Sequence, residues 1–284
     1  MNGFINLYKP SGMSSAYALT LIKRRFKGEK IGHMGTLDPL ASGVLPVAFG
    51  KSTRLFDYLL DKTKIYKANF TFSYETDTLD RGGKIIKENG LIPTQSEIEG
   101  VLPSLTGSVE QLPPIYSAKN VNGKRSYELA RQGIEVELKP KTVYIKDIKL
   151  TQKIDETTYE FIIECKGGTY IRSICRDLAY NLNTYATMTS LERLESGIFT
   201  KENSFTLEEI IDNFDLDKML ISPDTVVSFK TINLSNKKFD DVINGRLCIL
   251  DLPDGDYKVY GKNQFLGIGK IEDNNLKIKA FIKD

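Results

Sequence analysis

Apolar and polar positions along the chain divide it into short alternating strands and a few amphipathic helices. Phe4-Ile-Asn-Leu-Tyr8 predicts a strand stopped by Lys9-Pro10-Ser11-Gly12. Ser14 then serves as a helix N-cap, and Leu19, Ile22 and Phe26 form one apolar face that ends at Gly28. Val44–Phe49 predicts a strand interrupted by Pro46, and Ser52–Leu60 a helix. Tyr66–Phe72 alternates with period two, the mark of a half-buried strand. Thr94-x-x-Glu97 is a capping box opening a helix towards Leu102. Strands follow at Thr142–Leu150 and Tyr159–Glu164, then a helix over Tyr170–Leu182. Strands and helices mix without regular βαβ alternation, which predicts an α+β fold with a mixed, largely antiparallel sheet.

Composition changes near Ile221-Ser-Pro-Asp224. Beyond it, short apolar runs are broken by Asn244-Gly245, Pro253-Asp-Gly255, Gly261 and Gly267. Asp256–Tyr260 and Phe265–Ile271 read as strands of a small β module. Two domains are expected, 1–222 and 226–284.

Residue counts narrow the chemistry. The chain has 284 residues, 40% hydrophobic and 27% charged, enough to bury a core without metal or disulfide staples. His33 is the only histidine, so two-His zinc sites are excluded and no metal is expected. Cys165, Cys175 and Cys248 contain no CxxC pair, and a disulfide framework is not expected. What survives is chemistry run by carboxylates, Lys, Tyr, Arg or a lone thiol. No signal peptide and no membrane span are read, so a cytoplasmic protein is expected.

Net charge is only +2, yet unevenly placed. Lys23–Lys30 carries five cations and one anion, whereas Glu202–Asp224 carries seven acids and one Lys. A solvated helix end explains the first, and a phosphate-bearing partner held on one face is compatible with both. The densest special stretch is Ile31–Leu45, a shaped loop holding three glycines, His33 and Asp38, the last fixed in extended geometry by Pro39.

That loop, Gly32-His33-Met-Gly35-Thr-Leu-Asp38-Pro39-Leu-Ala41-Ser-Gly43-Val-Leu-Pro46, resembles the signature of the TruB family. These are bacterial tRNA pseudouridine synthases acting on the T-loop uridine. Four further motifs agree in order: Lys9-Pro10-x-Gly12-x-Ser14-Ser15, Lys64-Ile-Tyr66-Lys67, Thr76-Asp77-Thr78-x-Asp80-x-x-Gly83 and Gly168-Thr169-Tyr170-Ile171-Arg172-Ser173. The C-terminal stretch resembles a short PUA module, an RNA-binding β domain.

The resemblance implies isomerisation of uridine to pseudouridine without cofactor or metal, with Asp38 as the nucleophile or oxocarbenium-stabilising carboxylate. It implies that Arg172 holds Asp38 ionised, that Tyr66 and Tyr170 line the uracil pocket, and that Leu191 closes on the uracil edge. Tyr66 would also serve in proton transfer. His33 and Lys9 are implied as substrate-binding residues, His33 beside the flipped base. The segment from about 116 to 138 resembles the family's RNA-clamping insertion, with Lys124, Arg125 and Arg131 as phosphate contacts. Partners implied are the tRNA T-stem loop, no membrane and no obligatory protein; a monomer is expected.

The chain departs from the pattern where Lys119 directly follows Ala118, where Thr187 replaces a His and Glu192 an Arg, and at Glu195. These changes are expected to remove positive charge near the RNA face. Competing readings are a non-catalytic RNA-binding protein, a guide-dependent dyskerin-type relative, and a glycosylase releasing free uracil.

Overall fold

The computed structural model describes every residue except 60–61, 118–119, 122, 127–128, 130–131, 133, 135–137 and 284; at 120, 121, 124 and 125 only the backbone is described. The chain forms, in order, β1 (Gly3–Lys9), α1 (Ser15–Arg25), β2 (Ile31–His33), β3 (Ser42–Phe49), β4 (Lys64–Phe72), β5 (Glu75–Thr76), β6 (Ile85–Lys87), α2 (Gln95–Val101) and β7 (Gly107–Gln111). A short hairpin, β8 (Asn120–Val121) with β9 (Lys124–Arg125), precedes β10 (Lys141–Lys153), β11 (Thr158–Cys165), α3 (Ile171–Asn181) and β12 (Ala186–Ser196). β13 (Phe199–Thr200), β14 (Phe205–Thr206) and the short α4 (Leu207–Asp212) and α5 (Leu216–Met219) complete the first body.

A ten-stranded sheet runs β14-β1-β3-β12-β4-β11-β10-β7, with β13 beside β12 and β2 beside β3. Most pairs are antiparallel; β1 with β14 and β3 with β12 are parallel. β4 sits in mid-sheet, and its alternation is realised residue by residue: Tyr66, Ala68, Phe70 and Phe72 are buried, while Ile65, Lys67, Asn69 and Thr71 are only partly so. The buried face joins Ala18 and Ile22 of α1, Ile98 of α2 and Ile174 and Leu178 of α3 in one core.

Local signals set the helix starts. Ser14 accepts from Tyr17 N, and Thr94 and Glu97 form the reciprocal capping box. Two expectations need correction. β3 runs straight through Pro46: proline lacks a donor, but its carbonyl still accepts from Met34 N at 2.9 Å. Gly50–Tyr58 is a 3₁₀ turn and not an α-helix, with Thr53 Oγ1 donating to Gly50 O at 3.0 Å in competition with helical bonding.

A second, four-stranded sheet consists of β15 (Lys230–Leu234), β16 (Gly255–Gly261), β17 (Gln264–Glu272) and β18 (Asn275–Phe281), with α6 (Asn236–Ile243) beside it. β15, α6 and β18 lie outside the elements that the sequence pattern predicts. The second body shares a core with the first: Val226, Val227, Ile268, Ala280 and Ile282 pack with Phe4, Val44, Ala48, Leu55 and Phe199. Asn2 Nδ2 donates to Ile282 O and Arg54 Nη1 to Phe281 O, closing the seam.

Candidate active site

The loop from Met34 to Ala41 leaves β2 and returns as β3, so the sheet fixes both of its ends. Its middle is tied to α1: Ser15 Oγ donates to Leu37 O and accepts from Leu37 N, both at 2.9 Å. Gly12 N donates to Pro39 O, and Ser11 Oγ to Leu40 O. Beneath it the Lys9 ammonium is wholly buried and gives its three N–H groups to Pro10 O, Met13 O and Ala41 O at 2.6–2.7 Å. Burial lowers the Lys9 pKa to about 8, opposed by the Asp38 carboxylate. Lys9 is therefore a brace under the loop and does not line the cavity. An ammonium saturated by three carbonyls has no donor left for a ligand.

Asp38 projects from this loop into a cavity of about 440 Å³, which Tyr66, Tyr170, Arg172 and Leu191 also line. Arg172, in the first turn of α3, is buried and divides its guanidinium among several partners. Nε meets Asp38 Oδ2 at 2.9 Å, Nη1 donates to Thr78 O at 2.9 Å and reaches Asp80 Oδ2 at 3.5 Å, and Nη2 donates to Tyr116 O at 3.0 Å. Asp80 is itself held by Thr78 Oγ1 and Gly82 N. Burial raises the Asp38 pKa, Arg172 pulls it back, and the Asp80 charge pushes it up again. A third of the Asp38 side chain nevertheless stays open to the cavity.

Tyr170 caps α3, and the Gln111 amide brackets its backbone, accepting from Tyr170 N at 2.8 Å and donating to Tyr170 O at 3.1 Å. Tyr66 and Leu191 enter from neighbouring strands β4 and β12, both nearly inaccessible at 7% exposure. Burial raises the Tyr66 pKa, while Arg193 draws it down.

His33 ends β2, off the cavity wall. Burial lowers its pKa, helped by Arg193 and Lys23, which favours the neutral imidazole. Its buried Nδ1 has no hydrogen-bond partner among the described residues. The Lys124 and Arg125 backbones lie in the β8–β9 hairpin; Lys119 and Arg131 fall outside the described residues.

Sequence reasoning missed Arg193 and Lys141 on the wall and Gln111 behind it, and quoted Lys64 and Asp80 in its motifs without giving them a role. Arg193 had a signal, since it stands two residues after Leu191 and shares its strand face. Gln111 had none.

The expected charge losses also change in meaning. Thr187 is fully buried and donates to Tyr74 O, so its position presents nothing at a surface. Glu192 is neutralised internally by Lys67 at 3.3 Å and Lys201 at 2.7 Å, and accepts from Tyr8 Oη at 2.7 Å.

The fold is shared with chains of solved assemblies. A chain in the structure of an H/ACA ribonucleoprotein bound to a substrate RNA containing 2′-deoxyuridine matches with a TM-score of 0.74 at 21% identity, over 99% of this chain and 85% of that one. A chain of a Cbf5-Nop10-Gar1 complex gives 0.72 at 23% identity, over 99% and 84%. Family models then narrow the class. Residues 23–171 match the TruB family pseudouridylate synthase N-terminal domain, and residues 172–228 the tRNA pseudouridylate synthase B C-terminal domain. A tRNA pseudouridine synthase B of Clostridium perfringens is 38% identical over 99% of both chains. Another from Clostridium novyi is 41% identical over 99% of this chain and 100% of its own. The chain belongs to the TruB family of pseudouridylate synthases.

Proposed function

We propose that this chain isomerises the T-loop uridine of tRNA to pseudouridine, with Asp38 as the group that attacks. The observation that carries the reading is the Asp38–Arg172 pair on the wall of a cavity faced by two tyrosines. Pseudouridylation breaks the N1–C1′ bond and forms C5–C1′. The C5 proton leaves, its bonding pair restores C5=C6, and N1 gains a proton, so nothing is oxidised or reduced. The reaction requires an ionised carboxylate beside C1′ or C6 and a dry pocket for a flipped base, which costs a few kcal/mol to extract. Arg172 supplies the counter-charge that keeps a buried carboxylate anionic. Tyr66 and Tyr170 offer aromatic faces that return about 1–3 kcal/mol per stacked base. Leu191 closes the apolar edge, and the Tyr66 hydroxyl serves proton transfer.

His33, half-buried at the root of the loop, contacts the RNA beside the flipped nucleotide in this reading. The 116–138 insertion, with Lys124, Arg125 and Arg131, acts as a clamp on T-stem phosphates, and the second sheet is a PUA-like RNA-binding module. The bodies divide as 1–222 and 226–284.

The deciding experiment is tritium release from tRNA labelled at uridine C5, comparing the wild type with Asp38→Asn. Release by the wild type and none by the variant, with tRNA affinity retained, is the expected result. Absence of wild-type release with tRNA still bound would leave an RNA-binding protein, and free uracil in the products would mean a glycosylase.

A further inference from the structure

The wall of the cavity holds a second guanidinium that the proposed chemistry does not use directly. Arg193 lies on β12, in register with Tyr66 on β4 on one side and with Gly43 on β3 on the other. Its side chain is 1% exposed. Nε donates to Val44 O at 2.6 Å and Nη2 to Gly35 O at 2.9 Å, so one side chain grips the loop where it leaves β2 and where it returns as β3. The backbone approach is equally close. Gly43 has φ +108, and a Cβ there would fall 2.2 Å from Arg193 O. Gly35, at φ +71, leaves room for Nη1, which would stand 3.3 Å from a Cβ. Gly35 and Gly43, two of the three glycines of the loop signature, thus make space for Arg193.

We propose that Arg193 is a positioning residue for the isomerisation, tying the two ends of the Asp38 loop to the Tyr66 side of the cavity. The inference rests on the function proposed above. A planar fork of donors reaches two carbonyls in fixed directions and still faces a third group, which an ammonium on a flexible stem does not. The same cation opposes the upward pull of burial on the Tyr66 hydroxyl, keeping that group closer to a usable proton-transfer range. Arg193 acts through the loop and through Tyr66.

The test is single-turnover tritium release and filter-binding affinity for tRNA in Arg193→Lys and Arg193→Gln, alone and combined with Tyr66→Phe, each checked for cooperative melting. Arg193→Lys is expected to slow release on the order of 100-fold while the tRNA Kd stays within about 3-fold, since a small displacement of a reacting group costs about that much. The slowing should be markedly smaller on the Tyr66→Phe background, because part of the effect runs through Tyr66. Release within about 3-fold of wild type, or slowing undiminished by Tyr66→Phe, overturns the inference. Should neither Arg193 variant fold, the Arg193 Nε–H resonance is followed in the wild-type protein and in Tyr66→Phe. A protected signal that shifts on losing the phenol is expected, and an unshifted one overturns the proposal. Wild-type protein that releases no tritium would remove the isomerase reading itself, a different outcome from active Arg193→Lys.

Discussion

Arg172 Nε lies 2.9 Å from Asp38 Oδ2, although the two residues belong to different elements and are brought together only when α3 packs against the loop that follows β2. The remaining nitrogens of Arg172 are occupied by Thr78 O, Asp80 and Tyr116 O, so its Nε is held towards Asp38 and is not free to swing away. The pair is a fixed ion pair at the edge of a cavity, where a charge is costly to bury alone and far less so beside its counter-charge.

This pairing predicts a pH dependence. Burial raises the Asp38 pKa above its ordinary 3.8, with Arg172 opposing. Tritium release needs the anion, so the acid limb of the single-turnover rate should lie above that value and fall away as pH drops through it. Arg172→Gln removes the opposing charge and should move the limb to still higher pH, besides lowering the plateau. A limb unmoved by Arg172→Gln would show that Asp38 does not set it.

Lys9 should matter for stability more than for binding. Lys9→Met removes the donor from Ala41 O, which is buried, and from Pro10 O and Met13 O, which are partly buried; at about 1–3 kcal/mol for a buried unpaired group, a loss of about 3 kcal/mol in all is expected in urea unfolding. The tRNA affinity of the folded variant should be near wild type. A large affinity loss with unchanged stability would return Lys9 to the substrate.

Gly43→Ala should be poorly tolerated. The backbone there has φ +108, and the new Cβ meets Arg193 O at 2.2 Å. Strain of this kind costs at least about 2 kcal/mol, read as a lowered melting temperature. An unchanged Tm would mean that the β3–β12 contact yields easily.

The insertion predicts a salt effect. If Lys124 and Arg125 bind T-stem phosphates, alanine at each should flatten the plot of log affinity against log salt by about one phosphate's worth. An unchanged slope in both variants would remove them from the RNA contact, with tritium release at saturating tRNA unaffected either way.

Much of this was legible in the chain. Period-two burial wrote β4 as a strand with Tyr66 on its inner face, side-chain caps wrote the starts of α1 and α2, and the glycine-rich stretch around Asp38 wrote a loop. Such features are local, because alternation, capping and backbone freedom act over a few residues. Family motifs placed Tyr170, Arg172 and Leu191 in the same pocket before any contact could be seen.

What the sequence alone determined, then, were the local elements and the set of residues able to do carboxylate chemistry. Tertiary structure decided which of them meet. Arg193 finds Val44 and Gly35 across 149 and 158 residues, and Lys9 finds Ala41 across 32. Neither partner could be read from spacing, since carbonyl acceptors exist at every residue and only the packing of β12 against β3 selects two of them. The fold likewise buries Lys9 as a brace under the loop and makes Glu192, read in the sequence as a lost positive charge, one member of a neutralised cluster. A charge in sequence becomes an interaction only when the fold supplies its distance and its dielectric.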